Sequence, residues 1–388
     1  MLFINANIHT MEGTPIGGGW LQTKGGVIAG MGPMADVPSG EKTYDCCGAD
    51  MYPGFMDAHT HLGMMEDGLT FEGDDLNEDT DPTTPQLRAI DGLNPLDRDF
   101  QEAAAAGVTT VVTGPGSANP IGGQMAAIKT CCPDGCIDDS ILKAPVAIKM
   151  ALGENPKDVY HDKDTGPVTR MATAAFIREE LLKAQRYEKE LHRSEEDEDA
   201  EPPEFDMKAE ALLPALRSET EVHFHAHRAD DIFTAIRIGK EFHLDYVIIH
   251  GTEGHLIAPR LAKEHVRVLS GPFLADRSKP ELRSQTPACP GILAKAGVQV
   301  AIITDHSVIP IQYLPLCAGL AVREGMEREA ALRAITIEPA RICRLDNRVG
   351  SLRQGKDADF SLFDCDPLSS YSKPLLVVEN GSIVYERG

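Results

Sequence analysis

The sequence predicts an α/β fold: a (β/α)8 TIM barrel carrying a small β-sandwich domain formed by both chain termini. Three observations predict it. Eight short apolar runs punctuate the middle of the chain, with helical patterns between most of them, as expected of a parallel α/β sheet. The two ends lack helical periodicity and read as short strands and turns. Finally, five of the eight runs end in side chains of metal-ligand or acid–base type. In a parallel barrel all such C-terminal ends meet at one mouth.

Taken in order, Ile4 to Met11 is rich in β-formers and Gly17-Gly18-Gly19 is a turn. Leu21 to Val37 shows apolar pairs broken by Gly25-Gly26 and Gly32-Pro33. The other end has the same character. Asp359–Phe363 and Pro374–Val378 read as strands, and Glu379-Asn380-Gly381-Ser382 as a hairpin turn before Ile383-Val384-Tyr385. Residues 1–50 and 348–388 are therefore assigned to the small domain and 51–347 to the barrel. The eight runs are Gly54–Ala58, Val108–Thr113, Gln124–Lys129, Pro145–Met150, Val222–Ala226, Tyr246–His250, Val266–Ser270 and Val298–Thr304. The third fits a helix as well as a strand. Helices are expected at Asp97–Ala106, ending on Gly107, at Asp230–Glu241 and at Glu327–Ile335. Between the fourth and fifth runs, Thr169 caps a long helix to about His192, striped by Phe176, Ile177, Leu181, Ala184 and Leu191. The acidic stretch 194–201 reads as a solvated loop, and Asp206 caps a second helix reaching Arg217.

The 388 residues suffice for a large domain and a smaller one, and a hydrophobic fraction of 42% supplies the core. The net charge of −23, from 37 basic and 60 acidic residues, argues against nucleic acid or anionic membranes as partners. The start, Met1 to His9, lacks the basic and apolar regions of a signal peptide. No apolar run approaches the roughly 20 residues of a membrane span. The nine cysteines, odd in number and scattered, read as reduced thiols of a cytoplasmic protein. Their one cluster, Cys131-Cys132 with Cys136, lacks a second pair at zinc spacing.

The sharpest signal is Pro53-Gly54-Phe55-Met56-Asp57-Ala58-His59-Thr60-His61. Residues i and i+2 of a strand share a face, so His59 and His61 present two imidazoles to one side where the first run ends. The fourth run ends in Ile148-Lys149-Met150. The fifth carries His225 within His223-Phe224-His225-Ala226-His227-Arg228. The sixth ends at His250, and the eighth at Asp305, followed by His306. Imidazole and carboxylate suit zinc and similar ions. Singly, each has a bland explanation: a packed histidine for His225, an ion pair for Lys149, a helix cap for Asp305. Strand interiors here otherwise choose Val, Ile and Ala, so the coincidence favours a site.

These motifs, with Gly107-Val108-Thr109-Thr110-Val111, Thr336-Ile337-Glu338-Pro339-Ala340-Arg341 and Gly355-Lys356-Asp357-Ala358-Asp359, resemble the amidohydrolase superfamily of metal-dependent hydrolases. Within it the chain is most similar to imidazolonepropionase-like enzymes and metal-dependent prolidases. The resemblance covers nearly the whole chain. It implies metal ligands at His59, His61, His225 and His250, with Asp305 as ligand and proton shuttle. Lys149 matches the position where binuclear members carry a carboxylated lysine bridging two metals. Such a carbamate forms from a neutral amine, so the site must depress the lysine pKa. One or two divalent ions are implied, with zinc the first choice. Glu154 is a nearby acidic candidate.

The activity implied is cleavage of an amide or cyclic amide C–N bond in a small molecule by metal-activated hydroxide. Asp305 would take the water proton and return it to the leaving nitrogen. His227, which shares the facing of His225, and His306 are candidates to hold an oxyanion or the substrate. Arg228 and Arg277 are candidates for a substrate carboxylate, and Gln124 for a further substrate contact. An alternative on the same barrel is a mononuclear deaminase of a heterocycle, with Glu253 at a ring nitrogen. A scaffold without activity predicts lost ligands, and none is missing. Such barrels often pair, so a homo-oligomer is compatible with the resemblance.

Overall fold

The computed structural model describes residues 1–39, 42–66, 70–197 and 199–388. Two sheets organise them. Strands β1 (Leu2–Ile8), β2 (Ile16–Lys24), β3 (Val27–Pro33), β4 (Thr43–Asp45) and β5 (Asp50–Pro53) open the chain. The barrel strands follow: β6 (Phe55–Thr60), β7 (Val108–Thr113), β8 (Ile121–Lys129), β9 (Ile141–Ala151), β10 (Glu221–Ala226), β11 (Tyr246–His250), β12 (Arg267–Ser270) and β13 (Gln299–Ile302). Strands β14 (Phe360–Phe363), β15 (Leu376–Glu379) and β16 (Ser382–Glu386) end it.

In the barrel, each strand from β6 to β13 bonds to the next in chain order. One feature departs from eight parallel strands. The third run is indeed a strand, but β8 runs antiparallel to both β7 and β9. The linkers explain it. A parallel crossover needs about a dozen residues or more, usually a helix, and the stretches 114–120 and 130–140 are too short. Both are also built from turn formers, Gly114-Pro115-Gly116-Ser117 and Pro133-Asp134-Gly135.

Side chains alternate along these strands. Met56, Ala58, Val112, Met125, Ala147, Val247, Ile249 and Leu269 form one buried cluster inside the barrel. Their chain neighbours Ile148, Met150, Val222, Phe224, Ile248 and Val268 belong to the core beneath the surrounding helices. Between the first and last strands, Thr304 donates its backbone N–H and its hydroxyl to Asp57 Oδ2, at 3.0 and 2.6 Å. The His61 amide donates to the His306 carbonyl at 2.6 Å.

The helices start where the caps predict. Asp97, Thr169 and Asp206 each accept a backbone N–H in the first turn of Arg98–Ala105, Arg170–Glu196 and Met207–Leu216. The long helix runs past His192 and takes Ser194–Glu196 from the acidic stretch; Glu and Arg there are good helix formers. Glu198 of that stretch lies outside the described residues. Gly107 has φ +85°, and a Cβ there would stand 2.8 Å from Ser361 Oγ, so glycine alone fits this helix-to-strand turn.

The termini form a single sheet, ordered β16-β15-β14-β5-β1-β2-β3 with β4 also on β1. The expected two-sheet sandwich is thus one continuous sheet by hydrogen bonding. The reason is that β1 pairs with β4 along its first half and with β5 along its second. Phe3, Ile8, Leu21, Met51, Phe360 and Val378 contribute to its core, with the rings of Phe3 and Phe360 edge to face at 4.8 Å. The chain passes from this sheet into the barrel at Gly54, where any Cβ would strike Thr109. All nine cysteines are free thiols. Among the described residues, no helix is long and apolar enough to cross a membrane.

Candidate active site

Strand alternation sets most of the site. In β10 the outward residues are Val222 and Phe224, so His223 and His225 face inward. Lys149 is the β9 partner of His223, facing the same way. His223 lies deeper and meets Glu221 Oε2 at 3.4 Å, while His225 reaches the mouth. His250 breaks the alternation. It follows inward-facing Ile249, and a regular strand would point it outward. Instead it adopts φ 74°, and Asp305 adopts φ 55°. Positive φ is costly for residues other than glycine and is retained where function requires it.

The result is a buried cluster. Asp305 Oδ1 lies 3.2 Å from His59 Nε2 and 3.5 Å from His61 Nε2. Lys149 Nζ lies 3.4 Å from both His59 Nε2 and the Pro115 carbonyl. His250 Nε2 is 2.8 Å from His225 Nδ1, and His227 stacks on His250 with ring centroids 4.3 Å apart. Among the described residues, two groups could hold a metal ion, His59–His250–Asp305 and His225–His227–His250, each with its candidate ligand atoms mutually within 4.8 Å.

Backbone carbonyls fix two tautomers. His61 Nδ1 lies 2.7 Å from Gly114 O, and His250 Nδ1 lies 2.8 Å from Gly271 O. A carbonyl only accepts, so each Nδ1 carries the proton and each Nε2 offers a lone pair to the pocket. Holding the far nitrogen in this way is how metal-binding imidazoles are oriented. The donor set, neutral imidazoles with a carboxylate, fits a divalent ion of the zinc class.

The electrostatics agree. Burial, then the Lys149 charge, holds His59 well below the usual imidazole range, with Asp305 opposing. Burial lowers His250 to about 4, and His225 and His227 fall well below the usual range, chiefly by burial and then by neighbouring imidazole charge. All are therefore neutral at pH 7. Burial lowers Lys149 to about 8, with Asp305 opposing, so part of the amine is uncharged near neutrality. Burial pushes Asp305 up, and His250, His59 and His61 more than offset it, leaving an ionised carboxylate.

Other expected residues lie elsewhere. Gln124 pairs across β9 with outward-facing Ile148, and its amide donates to Pro85 O, so it is turned away from the pocket. The reversed strand supplies its neighbour Gly123, opposite Lys149, instead. Arg228 is held in a two-point pair with Asp230, and Arg277 donates to Gln285 O; neither reaches the histidines. His306 accepts from the Ile311 amide and faces Asp99 Oδ2 at 3.1 Å, which directs it toward helix Arg98–Ala105. Glu253 accepts from the Ala229 amide and Ser284, so the carboxylate weighed for ring-nitrogen chemistry serves the start of helix Ala229–Glu241. His227 does join the cluster, its Nδ1 2.7 Å from Thr252 Oγ1.

Three groups escaped the sequence reading. Ser117 Oγ lies 2.8 Å from His225 Nδ1. Asp57, raised to about 7 by burial against the donors of Thr304 and His59, holds the residue before Asp305. Glu281, beyond β12, approaches His227 and His225. Asp57 sits inside the first motif, so its burial was the available signal; Ser117 and Glu281 come from irregular segments that carry none.

The amidohydrolase family model matches residues 51–384. Amidohydrolase tasK of Hapsidospora irregularis is 31% identical over 427 aligned positions, covering 99% of this chain and 43% of the relative. The chain thus spans less than half the length of that protein. An imidazolonepropionase of Shewanella baltica is 23% identical, with 99% of each chain covered. The crystal structure of an amidohydrolase from Thermotoga maritima MSB8 superimposes with a TM-score of 0.95 at 39% identity, covering 100% of both chains. With its site at the mouth of such a barrel and the match spanning most of its length, this chain belongs to the amidohydrolase family.

Proposed function

We propose that the chain is a metal-dependent amidohydrolase that cleaves an amide or cyclic amide bond of a small molecule. The observation that supports this best is the convergence of His59 and His61 on one oxygen of Asp305, beside the His225–His250 pair. His59, His61 and Asp305 would hold one divalent ion, for which zinc suits the donors. His225 and His250 would hold a second, with Lys149, as its carbamate, between them. A divalent ion at such a site polarises a carbonyl and supplies hydroxide at neutral pH.

The chain's own residues do the rest. Asp305, ionised and within reach of the pocket, takes the proton of the attacking water and returns it to the departing nitrogen. His227, neutral and with Nδ1 held by Thr252, is placed to donate a hydrogen bond from Nε2 to the substrate carbonyl oxygen. Lys149 is buried enough to exist partly as the free amine that carbamate formation requires.

The test combines metal analysis with a substrate screen. Purified protein supplied with zinc and bicarbonate is expected to hold one to two ions per chain. It is also expected to hydrolyse a member of a panel of N-acyl amino acids, cyclic ureides, imidazolones and prolyl dipeptides. Ammonia release without amide cleavage would point to a deaminase instead, and a chain that takes up no ion would contradict the proposal.

A further inference from the structure

A loop that the mechanism above does not use brings a buried carboxylate to the rear of a proposed ligand. Glu281 sits in the short turn Pro280–Leu282, beyond the end of β12, and is 1% exposed. It is clamped from both sides by the segment after β9. The Glu154 amide donates to Glu281 Oε2 at 3.1 Å, and the Glu281 amide donates to Glu154 Oε2 at 3.3 Å. Gly153 leaves the room, since a Cβ there would lie 2.9 Å from Glu281 Oε2.

The clamp aims the other oxygen at the histidines. Glu281 Oε1 lies 3.8 Å from His225 Nε2 and 3.6 Å from His227 Nε2. It also meets the Lys279 ammonium at 2.6 Å, which in turn donates to Asn155 Oδ1 at 2.6 Å. Neither His225 Nε2 nor Glu281 Oε1 has an aligned hydrogen bond, although both are buried. Glu281 Oε1 keeps its ion pair with Lys279, but His225 Nε2 is a buried polar atom without a bond, a cost that native proteins rarely accept.

The tautomers explain the gap. Because His250 Nδ1 donates to Gly271 O, His250 Nε2 is an acceptor. His225 Nδ1 lies 2.8 Å from that nitrogen and 2.8 Å from Ser117 Oγ, a contact that the Nδ1-protonated tautomer of His225 satisfies. For both nitrogens to offer lone pairs to one ion, His225 has to move its proton from Nδ1 to Nε2. The imidazole stays neutral throughout, and only the nitrogen bearing hydrogen changes. The atom waiting at Nε2 is Glu281 Oε1.

We propose that Glu281 is a positioning residue that accepts the Nε2–H of His225 when the site is loaded, fixing the tautomer that turns Nδ1 toward the ion shared with His250. This rests on the reading of His225 and His250 as ligands. Lys279 balances the carboxylate charge, and Gly153 with Glu154 sets its height. The arrangement is the general one in which a carboxylate behind a ligating imidazole raises its basicity and fixes its orientation, and removing such a partner weakens metal affinity about 10- to 100-fold.

The experiment titrates zinc into metal-free full-length wild type, E281M and E281Q, with nitrogen-15 histidine NMR on the loaded samples. Two sites are expected in the wild type, with His225 protonated at Nε2. E281M, isosteric but unable to accept, should bind the second ion about 10- to 100-fold more weakly while keeping the first. E281Q, whose carbonyl oxygen still accepts, should recover most of that loss. An E281M protein that binds both ions as the wild type does overturns the proposal. So does a loaded wild type with His225 protonated at Nδ1. If E281Q fails as badly as E281M, Glu281 acts through packing or charge, and the tautomer role is refuted. A wild type that binds no ion refutes the ligand reading first, and this inference with it.

Discussion

Asp305 carries the largest burden of any single side chain. It meets two imidazoles through one oxygen, is held ionised, and is forced into a left-handed backbone conformation. Asp305→Asn keeps the shape and removes the base, so kcat should fall about 10²- to 10⁴-fold while the His225–His250 side still binds metal. Steady-state kinetics with metal analysis checks both halves; normal turnover would remove Asp305 from the chemistry. The converse holds for residues the structure turns away. Gln124→Ala and Arg228→Ala should leave KM close to wild type, because one side chain is occupied at Pro85 and the other by Asp230. The convergence of His59, His61, Lys149, His225, His250 and Asp305 was legible in the sequence because they end apolar runs, where a polar residue is conspicuous. Glu281 and Ser117 were not, because they reach the histidines only through folded loops. Nor was the diversion of His306 to Asp99, since adjacency to Asp305 in sequence does not fix side-chain direction.

At the level of elements, two devices place the site. The first is the reversal of β8. Strand identity came from composition, but direction came from linker length, and the two short linkers required a hairpin on either side. The second is the Asp57–Thr304 contact, which ties β6 to the segment carrying Asp305. Asp57→Ala leaves the Thr304 amide and hydroxyl buried without an acceptor, a loss of about 1–3 kcal/mol. It should also lower kcat more than it raises KM, because Asp305 is the next residue in the chain. Denaturant unfolding and kinetics measure the two effects, and unchanged stability in Asp57→Ala would refute this role. The long helix shows where pattern reading falls short. Its apolar stripe ends near Leu191, but helical propensity carries it to Glu196, and hydrophobic periodicity cannot mark such an end.

Across the whole molecule, the terminal sheet and the barrel meet at a buried charge cluster. Lys129, at the end of β8, contacts Asp359 and lies 3.1 Å from Asp357. Glu379 beside them accepts from Thr130 Oγ1 and the Cys131 amide at 3.0 Å each. Burial and the Asp359 charge push Glu379 up to about 8, against the pull of Lys129. Its ordinary value is 4.5, so the folded chain holds an extra proton between the two. The resulting stability is complete below pH 4.5 and is lost as pH rises through about 8. Glu379→Gln can accept from the Cys131 amide and donate to the Thr130 hydroxyl. It should remove about 1–3 kcal/mol of the stability difference between pH 6 and pH 9, as read by chemical denaturation. An unaltered difference would refute the shift. That the two ends of the chain build one small sheet was readable from their shared lack of helical period; its continuity was not, because pairing partners far apart in sequence leave no local trace.

Six side chains, His59, His61, Lys149, His225, His250 and Asp305, gather at the barrel mouth, and the proposed function requires them to bind divalent metal. An anomalous-scattering map of zinc-supplemented crystals, collected above and below the zinc edge, tests it most directly. Strong edge-dependent peaks are expected within coordination distance of His59, His61 and Asp305 and of His225 and His250, with density extending from Lys149 Nζ as a carbamate between them. A fully supplemented crystal with no anomalous peak among these side chains would contradict it.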